Sequence, residues 1–150
     1  MGQSSSNMLQ GQSMRFVYWD VAWRMGMDHL WTGVGHNNYR ALFPHYFIGV
    51  MEDGSRSWGT AHNLYLHHFA ERGLLGLGAL LLFLGAFWLR ALRRALIRPD
   101  AWQLWGLATA TAFLIMNLTE VALQVEMIWM LVFFVWIWAE AIFRQREAGR

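Results

Sequence analysis

The segment Thr60–Leu84, "TAHNLYLHHFAERGLLGLGALLLFL", places two kinds of chemistry end to end. Its first half holds His62, Asn63, His67, His68, Glu71 and Arg72. Imidazoles transfer protons near neutrality, and guanidinium forks bind anions. Its second half is glycine, leucine, alanine and phenylalanine. One helix starting near Thr60 and running into the apolar half puts His62, Leu66, Phe69, Gly73 and Gly76 on one face, with His67 and Glu71 roughly opposite. His62 then sits in the first helical turn, where unpaired N–H groups and the helix dipole favour an anion. His67, His68 and Glu71 fit no zinc spacing, and "HExxH" is absent, so they read as an interfacial polar face rather than metal ligands. A lone histidine is more often structural, and His62 becomes a functional candidate only through its neighbours.

The elements that must carry these residues are membrane helices. Of 150 residues, 56% are hydrophobic, and most of these follow residue 72. Gly73–Leu89 is a charge-free run of 17 residues and Ala101–Thr119 one of 19. Met127–Phe143 is interrupted only by Glu140. A helix crosses the hydrocarbon core in about 20 apolar residues, so three spans are expected. Trp88, Trp102, Trp129 and Trp138 stand near the run ends, at headgroup level. There is no cysteine, which excludes disulfides and thiolate chemistry. The net charge of +2 offers no broad basic surface for nucleic acid. All twelve cations are Arg, so each is a permanent, fork-shaped charge.

Arginine placement sets the orientation. Arg90, Arg93, Arg94 and Arg98 follow the first span, and Arg144, Arg146 and Arg150 follow the third. The link between spans two and three carries Glu120 and Glu126 and no cation. The positive-inside rule then places residues 1–72 and the Glu-bearing link outside, residues 73–143 in the membrane, and the tail 144–150 in the cytoplasm. "MGQSSSNMLQGQS" is not a signal peptide; its match to a myristoylation pattern at Gly2 and Ser6 is loose, and it reads as a polar loop. Ser13 is the expected N-cap of an amphipathic helix from Arg15 to about His29, with Phe16, Trp19, Trp23 and Met27 as its apolar stripe. "TGVGHNN" should break that helix, and Gly49–Gly59 reads as a flexible lid. "NLT" at Asn117 reads as an accidental sequon at a span end.

Taken together, these residues resemble the O-antigen ligase family, whose members also include polysaccharide polymerases and protein O-oligosaccharyltransferases. The family's ligase motif is His, then Asn, Ser or Gln, nine residues, Gly, two residues, then Gly, Thr or Tyr. His62, Asn63, Gly73 and Gly76 match it in full. Arg15 with Trp19 resembles the Arg-led helix upstream, and "DHLWTGVGHNNYRALFP" resembles the family's turn, with Leu30 in place of its proline. The resemblance is close over residues 14–90 and extends in layout to the later spans. It implies an all-α integral membrane helical bundle, here the C-terminal part of a longer protein that is truncated or mis-started. Three helices do not enclose both substrates, so the isolated chain is expected to be inactive.

The implied reaction moves a glycan from undecaprenyl pyrophosphate to an acceptor hydroxyl, on lipid A–core, a growing polymer or a protein, at the periplasmic face of the inner membrane. Membrane lipids are the surrounding partner, and no cofactor or metal is expected. A non-catalytic membrane piece is the rival reading. Within the implied chemistry, Arg15 is the first candidate to hold the leaving pyrophosphate, with Arg24 and Arg40 behind it. His62 is the candidate base for the acceptor hydroxyl, and Asn63 orients either the sugar or the histidine.

Overall fold

A computed structural model describes residues 2–48, 57–121 and 126–148. It contains α1 (Gly2–Asp28), α2 (Tyr39–Tyr46), α3 (Leu64–Ile97), α4 (Ala101–Met116) and α5 (Glu126–Ala148). No strand occurs among the described residues. The expected lid falls, for residues 49–56, outside them. Two compact units divide the chain: the first holds residues up to Ala79 with Leu118–Val121, and the second holds Leu80–Asn117 with the α5 segment.

In the first unit, α1 begins well before Ser13, so the polar leader is helical and Ser13 is no cap. The leader contains no proline, and a glycine inside a helix costs only about 1 kcal/mol. The buried stripe of α1 is also not the expected one. Tyr18, Val21, Ala22 and Met25 pack with Tyr39, Phe43, Ala61 and Ala70, while Phe16, Trp23 and Met27 are half or more exposed. At about 100° per residue these two sets lie on opposite sides of α1. The helix is therefore apolar on both sides, and the smaller residues face the protein core. Full burial of a side chain the size of Met25 or Phe43 stabilises the fold by roughly 1.5–3 kcal/mol.

The "TGVG" turn and α3 are interlocked through their backbones. Gly73 leaves helical geometry (φ 61°, ψ −161°), which kinks α3. In an unbroken helix the carbonyls of Ala70 and Glu71 would accept from Leu74 and Leu75. Instead Val34 N–H donates to Ala70 (2.9 Å) and Gly35 N–H to Glu71 (3.0 Å). The freed N–H groups of Leu74 and Leu75 donate to the carbonyls of Leu30 (2.7 Å) and Trp31 (3.2 Å). All four groups displaced by the kink thus find partners, as buried backbone requires. The fit tolerates no side chain at two places. A Cβ on Gly33 would lie 2.3 Å from the Glu71 backbone, and one on Gly73 2.4 Å from that of Trp31. Both glycines also adopt positive φ.

α3 and Met127–Arg146 of α5 are long and apolar enough to cross a membrane, with mean hydropathies of 1.9 and 1.7. Side chains such as Leu82 (76% exposed) and Met127 (74%) present apolar surface outward, as lipid contact demands. α4 is shorter than its apolar run because Asn117 caps it after Met116. Asn117 is fully buried and donates to the Phe113 carbonyl (2.8 Å), which suits a structural asparagine rather than a glycan acceptor. Within the second unit, Gln103 donates to the Ala139 carbonyl (2.9 Å) and Gly106 lets α4 lie against Ala139. Asp100 caps α4 through the N–H groups of Trp102 and Gln103 and pairs with Arg146. Glu140 gathers Arg90, Arg94 and Arg144, which explains how one acid sits near the end of the third apolar run.

Candidate functional site

α3 does not start at Thr60. Asn63 is its N-cap: the side-chain Oδ1 accepts from Leu66 N–H (3.0 Å), three residues on. His62 therefore lies outside the helix rather than in its first turn, with left-handed backbone (φ 47°). Such geometry at a residue other than glycine costs on the order of 1–3 kcal/mol and is characteristic of functional positions. The Asn63 Nδ2 donates to the Leu118 carbonyl (2.9 Å), tying Leu118–Val121 to the His-Asn pair. Both ends of this amide are thus occupied by backbone, and Asn63 is buried.

That tie brings Glu120 to the histidine. Its Oε2 is 3.2 Å from His62 Nδ1, and its Oε1 is 3.4 Å from Arg15 Nη2. Arg15 and His62 thus converge on one carboxylate. Arg15 and Glu120 are each nearly half exposed, so their ion pair stabilises the fold by only about 0–1 kcal/mol. The Arg15 and Glu120 side chains of the cluster are thus open to solvent. Behind it, Tyr18 and Trp58 stack (centroids 5.0 Å apart, planes 4° apart), and the His62 ring packs on both at 5.8 and 5.9 Å. Tyr39 buttresses this wall by donating its hydroxyl to the Tyr18 carbonyl (3.0 Å). Burial, with a smaller contribution from Tyr18, pushes the Tyr39 hydroxyl well above the ordinary tyrosine range, so it stays a donor.

The other candidates lie elsewhere. Arg24, half a turn out of phase with Arg15 on α1, pairs with Asp20 (2.5 Å) beside a cleft of about 550 Å³ that Phe16, Tyr46 and Phe47 also line. Arg40 is exposed on α2, where its carbonyl accepts from Ser57 (2.5 Å). Neither meets Glu120. His67 and Glu71, expected on a polar face, are buried at 3% and 2% exposure. Glu71 accepts from the first N–H of α2, at Tyr39 (3.3 Å), and its other oxygen lies 3.7 Å from His67 Nε2. A carboxylate at a helix N-terminus is favourable, so this pair anchors α2 and the turn. Glu120, Tyr18 and Trp58 were not expected at the site. A signal for Glu120 existed: the positive-inside reading put it on the same side of the membrane as His62.

An all-helical membrane protein with an open Arg–Glu–His cluster beside its first apolar span is the class that fold and site define. The O-antigen ligase family model matches residues 2–81, more than half of the chain, and the protein belongs to that family. The matched residues include Arg15, His62, Asn63, Gly33 and Gly73. No curated protein and no solved structure matches the chain.

Proposed function

We propose that this chain is the glycan-transferring region of a membrane glycosyltransferase of the O-antigen ligase type. It moves a glycan from undecaprenyl pyrophosphate to a hydroxyl of lipid A–core at the periplasmic face of the inner membrane. The observation that carries this reading is the convergence of Arg15 and His62 on Glu120. A cation for a leaving pyrophosphate and a base for an attacking hydroxyl stand within one side chain's reach of each other. The acceptor oxygen bonds to the sugar's anomeric carbon, and its proton passes to His62. The bond from that carbon to the pyrophosphate oxygen breaks, and the electron pair leaves with undecaprenyl pyrophosphate. Arg15 takes up the charge that develops there, a role a guanidinium fork fills without a metal ion.

Asn63 serves the histidine rather than the sugar, because both ends of its amide hold backbone. Arg24 and Arg40 are secondary contacts to donor or acceptor; Arg24 must first leave Asp20. The orientation follows from the arginines at 90–98 and 144–150, which keep the far ends of the first and third apolar runs in the cytoplasm.

The test is the lipopolysaccharide ladder of cells whose gene carries His62→Ala. Bare lipid A–core is the expected result. Core bearing a single repeat would instead make the protein a polymerase. A ladder identical to that of unaltered cells, with the variant present in the membrane, would overturn the assignment to lipopolysaccharide.

A further inference from the structure

Glu120 is the centre of the cluster, and the function just proposed gives it no role. It lies in the Leu118–Val121 segment, distant in sequence from both its partners. Three observations bear on it. The Asn63 Nδ2 holds this segment through the Leu118 carbonyl (2.9 Å), so the position of Glu120 is fixed by the residue next to His62. Its Oε2 meets the Nδ1 of His62, not the Nε2. Its Oε1 meets Arg15. A neutral imidazole carries one N–H, and a carboxylate accepts but does not donate. With Glu120 ionised, the His62 proton therefore resides on Nδ1, and Nε2 keeps the lone pair.

We infer that Glu120 is a positioning residue that orients His62 and selects its reactive tautomer, Nδ1–H toward the carboxylate and Nε2 toward the acceptor hydroxyl. This rests on the role proposed for His62. The proton from the acceptor hydroxyl passes to Nε2, and the carboxylate faces the imidazolium that results. Glu120 accepts the Nδ1 hydrogen bond and takes no proton in this step. The stacked Tyr18–Trp58 pair restrains the ring from the side, and Glu120 restrains it at one edge. The same carboxylate occupies Arg15 until the donor arrives. Its exposure lets a pyrophosphate, with more oxygens and more charge, displace it from the guanidinium while the contact to His62 persists.

The test uses the full-length protein in membrane vesicles with undecaprenyl-pyrophosphate-linked glycan and lipid A–core, comparing Glu120→Ala, Glu120→Asp and His62→Ala. Glu120→Ala is expected to lower kcat by about a hundredfold or more, the lower end of what a positioned general base contributes, without raising the donor KM. Glu120→Asp should recover part of kcat. Nitrogen-15 NMR of labelled histidine should show His62 with its proton on Nδ1 in the native protein and as a tautomer mixture in Glu120→Ala. Unchanged kcat in a folded Glu120→Ala protein, while His62→Ala is inactive, would overturn the positioning role and leave the proposed function standing. Full activity of His62→Ala would overturn both. An unchanged NMR tautomer in Glu120→Ala would overturn the tautomer selection even if kcat fell.

Discussion

The Nδ1 of His62 lies 3.2 Å from the carboxylate of Glu120, although 58 positions of sequence separate the two residues. Helices α3 and α4 lie between them in the chain. The chain that leaves at His62 thus comes back to it at Glu120 and delivers an acid to the histidine. The His-Asn pair of the family motif is the docking point for that return: Asn63 grips Leu118, and His62 meets Glu120.

Asn63 has two separable duties, so two substitutions should give two outcomes. Asn63→Asp keeps an oxygen to cap α3 but loses the donor to Leu118. It should keep the cap, lose about 1–3 kcal/mol because a carboxylate oxygen then faces the buried Leu118 carbonyl, and transfer glycan poorly. Asn63→Ala loses both bonds, and the missing cap alone costs about 1 kcal/mol. Thermal unfolding in detergent, with transfer assays on the same samples, distinguishes them; equal activities of the native and Asn63→Asp proteins would refute the docking role.

Arg15 is expected to require a guanidinium and not merely a positive charge. Arg15→Lys should remain well below native activity, because an ammonium cannot form the two parallel bonds that a fork gives a phosphate group. Arg15→Gln should be weaker still. Donor titrations of transfer rate in membrane vesicles check this, and native activity in Arg15→Lys would remove the fork from the account.

Gly33→Ala and Gly73→Ala should each destabilise the first unit by about 2–3 kcal/mol or more, since each combines positive φ with a clash against backbone. Gly78→Ala and Gly85→Ala are the controls. A Cβ at either position meets nothing within 4 Å. Both should match or slightly exceed native stability, as helix propensity favours alanine. Melting curves that do not separate the two pairs would contradict the interlock.

The stability of the first unit should fall as pH rises past about 10, the ordinary tyrosine value. The folded state holds the Tyr39 proton above that pH, whereas the unfolded chain releases it. Stability attached to this group is therefore intact below pH 10 and declines above it. Tyr39→Phe should reduce that alkaline loss and cost about 1 kcal/mol at neutral pH through the missing bond to Tyr18. Unfolding midpoints measured across the alkaline range provide the check.

Helical class, the breaker at "TGVGHNN" and the apolar character of α3, α4 and α5 were legible because they depend on local composition. The buried stripe of α1 was not, because that helix is apolar on two opposite sides and periodicity cannot say which faces protein. The start of α3 was misplaced by a capping choice: Asn63, not a residue nearer Thr60, satisfies the first free N–H groups. Its kink was hidden for a different reason. Gly73 reads as a small residue in an apolar run, and only the turn arriving from Gly33 and Val34 makes a break in hydrogen bonding favourable. At the candidate site, the motif singles out Arg15 and His62 but not their meeting on Glu120. Glu120 was visible only as a charge in a link, because its role depends on the return of α4. His67 and Glu71 were misread as a polar face because their partners, the N-terminus of α2 and the ring of Tyr39, come from a separate helix of eight residues that no sequence spacing ties to them.

The most direct measurement is release of undecaprenyl pyrophosphate by the purified full-length protein, given a lipid-linked glycan donor and lipid A–core. The unaltered protein should release it in step with glycosylated product, and neither His62→Ala nor Arg15→Gln should do so beyond background. Release and product formation at the native rate by either folded variant would contradict the assignment of these two residues to glycan transfer.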